Sequence, residues 1–211
     1  MIKRIIFDVD GTLIKQDFSY ESDYFYSCLD SCSASYFIPN IAHLLAIYES
    51  SYSKYDAEEL RLFLESMTGI SFTPSIIEGW RDKIRTSSNV VIDGVYETLD
   101  YLKSKNYSLG VLTNWFSKDQ IARLDGVGLL HYFDSIVGGE VALKPDLKSY
   151  ICATGRFNID ECVMIGDNIT NDVVGAVDAG MDAIYFDEKK KDDNKVLVKK
   201  INNIRQLKEI Y

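Results

Sequence analysis

The sequence predicts an α/β fold: a Rossmann-like parallel sheet core with a helical unit inserted after its first strand. Two observations predict it. Short, near-continuous apolar runs at 2–7, 108–112, 135–137, 162–165 and 182–186 are separated by helical patterns. Strands without polar alternation are covered on both faces, as parallel strands are. Residues 15–90 break the alternation, with few strand signals and several helical ones. Strands joined through helices by right-handed crossovers build the sheet, and 211 residues suffice for such a core plus one insertion. The expected division is a core of residues 1–14 and 91–211 and an α-helical cap of residues 15–90.

The elements follow in order. The run ending at Phe7 opens the fold. In the insertion, Ile41, Leu44, Leu45, Tyr48 and Tyr52 recur at helical spacing, with Asn40, after Pro39, as the expected N-cap. Asp56 with Glu59 resembles a capping box ahead of Leu60, Phe63, Leu64 and Met67. Ser75 is the expected cap of a helix carrying Ile76, Ile77, Trp80 and Ile84. The insertion's many Tyr and Phe rings are expected to fill its own core. Downstream, Val95, Leu99 and Leu102 after Gly94, the stretch 120–124, then Leu147, Ile151 and Cys152, and Val173, Val174 and Val177 mark four helices. Gly175, Ala176, Ala179 and Gly180 are small enough for close helix–sheet packing. The charged run 189–195 reads as a solvated loop, and 203–211 as a closing helix.

Composition excludes several classes. A net charge of −9 argues against nucleic acid as a partner, which needs a basic surface. A phosphate ligand stays open, because a metal ion can reverse a local field. No apolar stretch reaches the eighteen or so residues a membrane span requires, and the N-terminal apolar run ends at once in acids, unlike a signal peptide. Cys28, Cys32, Cys152 and Cys162 form no CxxC pair. Cys28 and Cys32, four apart, would share a helix face, but no His or Cys cluster completes a zinc site. A reducing, cytoplasmic setting is expected. His43 and His131 stand alone and read as structural.

Four motifs carry chemistry. Asp8-Val9-Asp10-Gly11-Thr12-Leu13 follows directly on the first strand. Residues two apart in an extended chain point the same way, so Asp8 and Asp10 face one site beyond the strand's carboxyl end. Two acids this close call for a cation between them or a shared proton; a solvated turn or a calcium loop would also use this pattern. Thr113-Asn114 ends the strand 108–112 and can donate to phosphate oxygens, or simply cap a helix. Lys144-Pro145-Asp146 places an ammonium beside an expected helix start, an anion-attracting position. Gly166-Asp167-Asn168, then Asp172, follows the strand 162–165 and brings further carboxylates to the same edge. Each motif alone has a bland reading; together all four gather at one sheet edge.

On these motifs the sequence resembles the haloacid dehalogenase superfamily of aspartate-nucleophile phosphotransferases, in the subgroup with a helical cap after the first motif. DVDGTL, LTN, the lysine of LKPD, and GDNITND stand in the family's order, over residues 1–14 and 91–187. Two positions depart: Asp93 stands where proline is common, and Asn168 where serine is common. The resemblance implies a phosphatase of a small phosphorylated metabolite, a nucleotide or sugar phosphate being open. Asp8 is then the nucleophile and Asp10 the acid–base. Mg2+ is held by Asp8, Asp10 and Asp167, with Asp172 behind it, and Thr113, Asn114 and Lys144 hold the phosphoryl group. A phosphomutase of the same family and a non-catalytic phosphate-binding regulator are the alternatives. A dehalogenase is disfavoured by Asp10. A phosphonatase would need a cap lysine, of which Lys54 and Lys83 are candidates. Trp115 either touches substrate or packs on the cap.

Overall fold

The computed structural model describes residues 1–15, 19–87, 89–188 and 198–211; the charged run 189–195 lies outside them. β1 (Arg4–Phe7), β2 (Ser108–Leu112), β3 (Ser135–Val137), β4 (Cys162–Gly166), β5 (Asp182–Phe186) and β6 (Lys199–Ile201) form one parallel sheet. The order is β3-β2-β1-β4-β5-β6. The fold is thus the expected α/β parallel sheet, with one added edge strand. β6 has a single buried residue, Ile201, beside two exposed lysines, too little for an apolar run. Lysines on an edge also discourage pairing with another chain.

Successive residues of each strand serve opposite faces. Ile5, Phe7, Val111, Val163 and Ile165 join one apolar cluster with α5 (Val95–Ser104). Ile6, Leu112 and Met164 join another with α7 (Leu147–Thr154). β1 lies between β2 and β4, with Phe7 paired to both Val111 and Ile165. The strand order therefore reverses at β1, and the crevice this opens at the carboxyl ends is where α/β sheets take ligands.

Two helix faces differ from expectation. In α7 the inward residues are Ser149, Tyr150, Ala153 and Thr154, while Leu147, Ile151 and Cys152 are exposed. Filling the space over the sheet with the Tyr150 ring rotates the aliphatic pair outward. After β4 the chain makes a π-helical turn, Ile169–Val174, before the short α8 (Gly175–Asp178). The wider turn changes the helical register. Val173 and Ala176 point inward, and Val174 and Val177 are about half exposed.

The insertion is helical: α1 (Ser19–Cys28), α2 (Ser31–Ser51), α3 (Ala57–Thr68) and α4 (Pro74–Thr86). Asn40 is not an N-cap. α2 begins nearly three turns earlier, where Asp30 accepts from the N–H groups of Cys32 and Ser33, and Pro39 lies inside the helix. Pro39 removes one helical hydrogen bond; the stripe Ala34, Phe37, Ile41, Leu44 and Tyr48, all buried, carries the helix through it. The same Asp30 separates Cys28, which ends α1, from Cys32 in α2, so the two cysteines share no helix face. Asp56 caps α3, accepting from Glu58 and Glu59 N–H, but the expected capping box is not closed, because the Asp56 N–H donates to Tyr48 Oη rather than to Glu59. Thr73, not Ser75, caps α4; Pro74 takes the first helical position, and the Ser75 hydroxyl meets that of Thr73.

Phe25, Phe37, Tyr48, Tyr55, Phe72 and Trp80 are fully buried in a cluster belonging largely to the insertion. The insertion is fastened to the core through α4 and α6 (Ser117–Gly126). Asp119, with no exposed surface, accepts from Arg81 Nε at 2.9 Å and Arg85 Nη1 at 2.8 Å. The Arg81 guanidinium also stacks 3.9 Å over Phe116.

Glu21 is a buried carboxyl group of the insertion, and its Oε1 accepts from Trp80 Nε1 at 2.9 Å. Burial pushes this carboxyl up to about 7, against the pull of the Trp80 hydrogen bond and the Arg123 charge. A carboxyl raised on folding holds its proton more tightly folded than unfolded. Its contribution to stability is therefore present at low pH and is lost as pH climbs through about 7. Glu21→Gln removes that dependence. Between about pH 5 and pH 8 the variant should gain stability relative to the parent by on the order of 2 kcal/mol. Denaturant melts at both pH values check this, and a pH-independent difference would contradict it.

Candidate active site

Every element of the site leaves the sheet at its carboxyl edge. Asp8 follows β1, and its N–H bonds Ile165 O at the end of β4. Val9 turns into the core while Asp8 and Asp10 line one cavity, the two-residue period at work. Gly11 has φ of 86°, a conformation side chains resist. A Cβ there would also overlap the Asp167 carboxylate, so glycine lets Asp167 close over the turn. Gly166 plays a similar part beneath: a Cβ would overlap the carboxylate of Asp172.

At the centre, Lys144 Nζ donates to Asp8 Oδ1 at 2.7 Å and to Asp172 Oδ1 at 2.6 Å. All three side chains are buried or nearly so. Burial alone lowers the ammonium's proton affinity, but the two carboxylates outweigh it and the net shift is upward, so Lys144 stays charged. Pro145 does not open a helix here. Asp146 caps α7, accepting from Lys148 N–H, and Leu147 is the first helical residue. Lys144 is therefore held by carboxylates and by Asn114 rather than by a helix start.

Asn114 Oδ1 accepts from Lys144 N–H at 2.7 Å, and its Nδ2 donates to Glu49 Oε2 at 2.8 Å. Its side-chain amide is thus committed to bracing Lys144 and tying α2 to the sheet edge. Thr113 Oγ1 accepts from Trp115 N–H and from Gln120 Nε2, each at 3.2 Å. Both contacts use its lone pairs, which leaves the hydroxyl proton to donate. Asn168, the departure from serine, accepts from Asn171 N–H, and its own N–H donates to Asp172 Oδ2 at 3.0 Å. Asp93, the other departure, makes a two-point ion pair with Arg205 at 2.7 and 3.0 Å. Both serve structure.

Oxygens of Asp8, Asp167 and Asp172 lie within 4.8 Å of one another. Burial, reinforced by the charges of Asp172 and Asp167, pushes the Asp8 carboxyl well above its ordinary value, against Lys144. Crowding by the surrounding chain, with Asp172, lifts Asp167, which opens to solvent at the cavity mouth, to about 6. Three carboxylates around one ammonium leave excess negative charge. A hard, oxygen-seeking divalent cation between Asp8 and Asp167 would offset it, and this donor set fits one.

Four further residues escape a sequence reading. Arg123 Nη1 donates to Asp10 Oδ1 at 2.7 Å and Gln120 Nε2 to Asp10 Oδ2 at 2.8 Å. Their three-residue spacing on the helix after Thr113-Asn114 was the available signal, since a helix leaving that strand starts at the same edge. Glu21 and Glu49 come from helices of the insertion, and nothing local marks them. Glu49 accepts from Tyr55 Oη and Asn114, and burial raises its carboxyl despite both bonds. Trp115 packs on the insertion, its ring against Trp80 and Tyr55, and it also lines the cavity. Lys54 and Lys83 are exposed and do not line it.

Comparison with known proteins bears on the family and the fold. A glyceraldehyde 3-phosphate phosphatase of Methanothermobacter thermautotrophicus is 36% identical over 124 residues, covering 54% of this chain and 55% of that one. The matched stretch thus spans about half of that relative's length. The pyrophosphatase PpaX of Bacillus velezensis is 28% identical over 85% of this chain and 80% of its own. Among solved structures, the HAD-hydrolase YfnB of Bacillus subtilis, described as bound to magnesium, superposes with a TM-score of 0.72, at 21% identity, over 99% of this chain and 98% of that one; at that identity the likeness is one of fold. The sequence model of haloacid dehalogenase-like hydrolases matches residues 5–186, and the chain belongs to that family.

Proposed function

We propose that the chain hydrolyses the phosphomonoester of a small metabolite through an aspartyl-phosphate on Asp8. The observation that carries this reading is the placement of the Asp8 carboxylate at 2.7 Å from the buried Lys144 ammonium, in one cavity with Asp10, Thr113 and Asp167. The cavity holds about 330 Å³, near the lower end of the ~300–1,000 Å³ usual for ligand sites, which suits a small substrate.

An Asp8 oxygen attacks phosphorus as the bond from phosphorus to the leaving oxygen breaks. Asp10, fixed by Arg123 and Gln120, gives that oxygen its proton. Asp10 then takes a proton from the water that attacks the aspartyl-phosphate, and the bond from phosphorus to Asp8 breaks. Lys144 and the Thr113 hydroxyl meet charge on the transferring group. Asn114 serves by holding Lys144 in place, and Asp172 by sharing its ammonium. The carboxylates of Asp8 and Asp167 and the backbone carbonyl of Asp10 would hold magnesium, which supplies charge neutralisation at the phosphoryl oxygens. The curated relatives named as phosphatases support this reading.

The test is release of phosphate from p-nitrophenyl phosphate in magnesium buffer. Asp8→Asn should reduce it to background; turnover near the parent's would remove Asp8 as nucleophile. Asp10→Asn should lower the rate by roughly 10² or more on an alkyl phosphate, whose leaving oxygen needs the proton. An unchanged rate on the alkyl phosphate would contradict the acid role.

A further inference from the structure

Two residues in the wall of this cavity each carry a buried polar atom that has no hydrogen-bond partner among the described residues. Glu21 is 4% exposed. Its Oε1 is taken by Trp80, while its Oε2 is buried and, among the described residues, has no hydrogen-bond partner. The indole Nε1–H of Trp115 is in the same position. Both residues line the cavity that holds Asp8, and both contact Trp80, Glu21 by its hydrogen bond and Trp115 by ring packing at 5.3 Å. A buried acceptor and a buried donor that the protein leaves unmatched discriminate strongly among ligands, because a ligand that fails them leaves them unmatched still.

The charges around them narrow the chemistry further. Among the described residues lining the cavity, six are acids and two are bases, Arg123 and Lys144. Both bases are already paired, Arg123 with Asp10 and Lys144 with Asp8 and Asp172. A cation bound at Asp8 and Asp167 would face the phosphoryl group. On the leaving-group side the acids are Glu21 and Glu49, and no unpaired cation among these residues stands ready to receive a second anion. A carboxylate on the leaving group would lie against like charge in a cavity where screening is weak.

We infer that Glu21 and Trp115 select the leaving group, and that the substrate is the phosphate ester of a neutral polyol, its hydroxyl groups donating to Glu21 and accepting from Trp115, rather than a phosphorylated carboxylic acid. A hydroxyl can do both. A carboxylate can only accept, and is turned away by Glu21. An ammonium can only donate, and leaves the Trp115 N–H unmatched.

This inference rests on the phosphatase reading, and its test separates the two. Glycerol 3-phosphate and 3-phosphoglycerate differ in that one carries a hydroxymethyl group where the other carries a carboxylate. Each is used to compete with p-nitrophenyl phosphate at about pH 8, above the value of about 7 to which burial lifts the Glu21 carboxyl. The inhibition constants are read whether or not either compound is turned over. The polyol phosphate should bind on the order of tenfold or more tightly than the acid. Glu21→Gln, which keeps an oxygen for Trp80, should shrink that ratio severalfold by admitting the acid. Trp115→Phe should weaken the polyol phosphate more than the acid. A variant that is merely damaged would weaken both compounds together and leave the ratio where it was. A parental ratio near one, a preference for the acid, or a ratio that Glu21→Gln does not move would overturn the inference and leave the phosphatase reading standing. Absence of p-nitrophenyl phosphate hydrolysis by the parent would overturn both.

Discussion

One ammonium group organises the catalytic edge of this protein. Lys144 Nζ sits between Asp8 and Asp172, within hydrogen-bond distance of each. Through it three separate stretches of chain meet: the end of β1, the segment before α7, and the π-helical turn after β4. Removing a partner from such a buried arrangement leaves uncompensated charge, which typically costs several kcal/mol, so each group holds the others in place. The supporting contacts point the same way. Asn114 fixes the Lys144 backbone and reaches Glu49 of α2. Gly166 makes room for the Asp172 carboxylate, and Asn168 N–H anchors its second oxygen. Even so, one ammonium is outnumbered by Asp8, Asp167 and Asp172. That imbalance is the physical reason a divalent cation belongs in the account.

Much of this was legible in the sequence, and the reasons are specific. Strands covered on both faces read as apolar runs, so five of the six were visible; β6, with one apolar residue, was not. The acids Asp8, Asp10, Asp167 and Asp172 were visible because each directly follows a strand or opens a turn there. Helix faces were harder. Leu147 and Ile151 carry an apolar signal that the fold leaves outside, because Tyr150 fills the space against the sheet. Pro39 marks a helix boundary in most chains, yet α2 runs through it on the strength of its buried stripe. Arg123 and Gln120 are ordinary polar residues of a surface helix until the fold brings them to Asp10. Glu21 and Glu49 depend on how the insertion lies over the sheet, which no local pattern encodes.

The insertion has its own apolar cluster, but several of its polar residues bond to the core. Arg81 and Arg85 converge on Asp119 of α6, Asn89 accepts from Arg123 at 3.0 Å, and Glu49 meets Asn114. The same helix, α6, thus carries Asp119 for fastening the insertion and Gln120 and Arg123 for holding Asp10. Fastening and chemistry share one turn of helix, so displacement of the insertion bears on Asp10 as well as on the cavity roof. In the proposed reading the sheet edge would handle the phosphoryl group, while Glu21, Glu49 and Trp80 of the insertion line the rest of the cavity.

The central claim is that Asp8 and Asp167 converge to share a divalent cation while Lys144 holds Asp8 from the other side. A crystal structure grown with magnesium and a phosphate analogue tests it most directly. The account predicts a six-coordinate ion with one oxygen each of Asp8 and Asp167 at about 2.1 Å, and Lys144 still bonded to Asp8. An ion bound away from both carboxylates, or a Lys144 side chain swung out of the cluster, would contradict it.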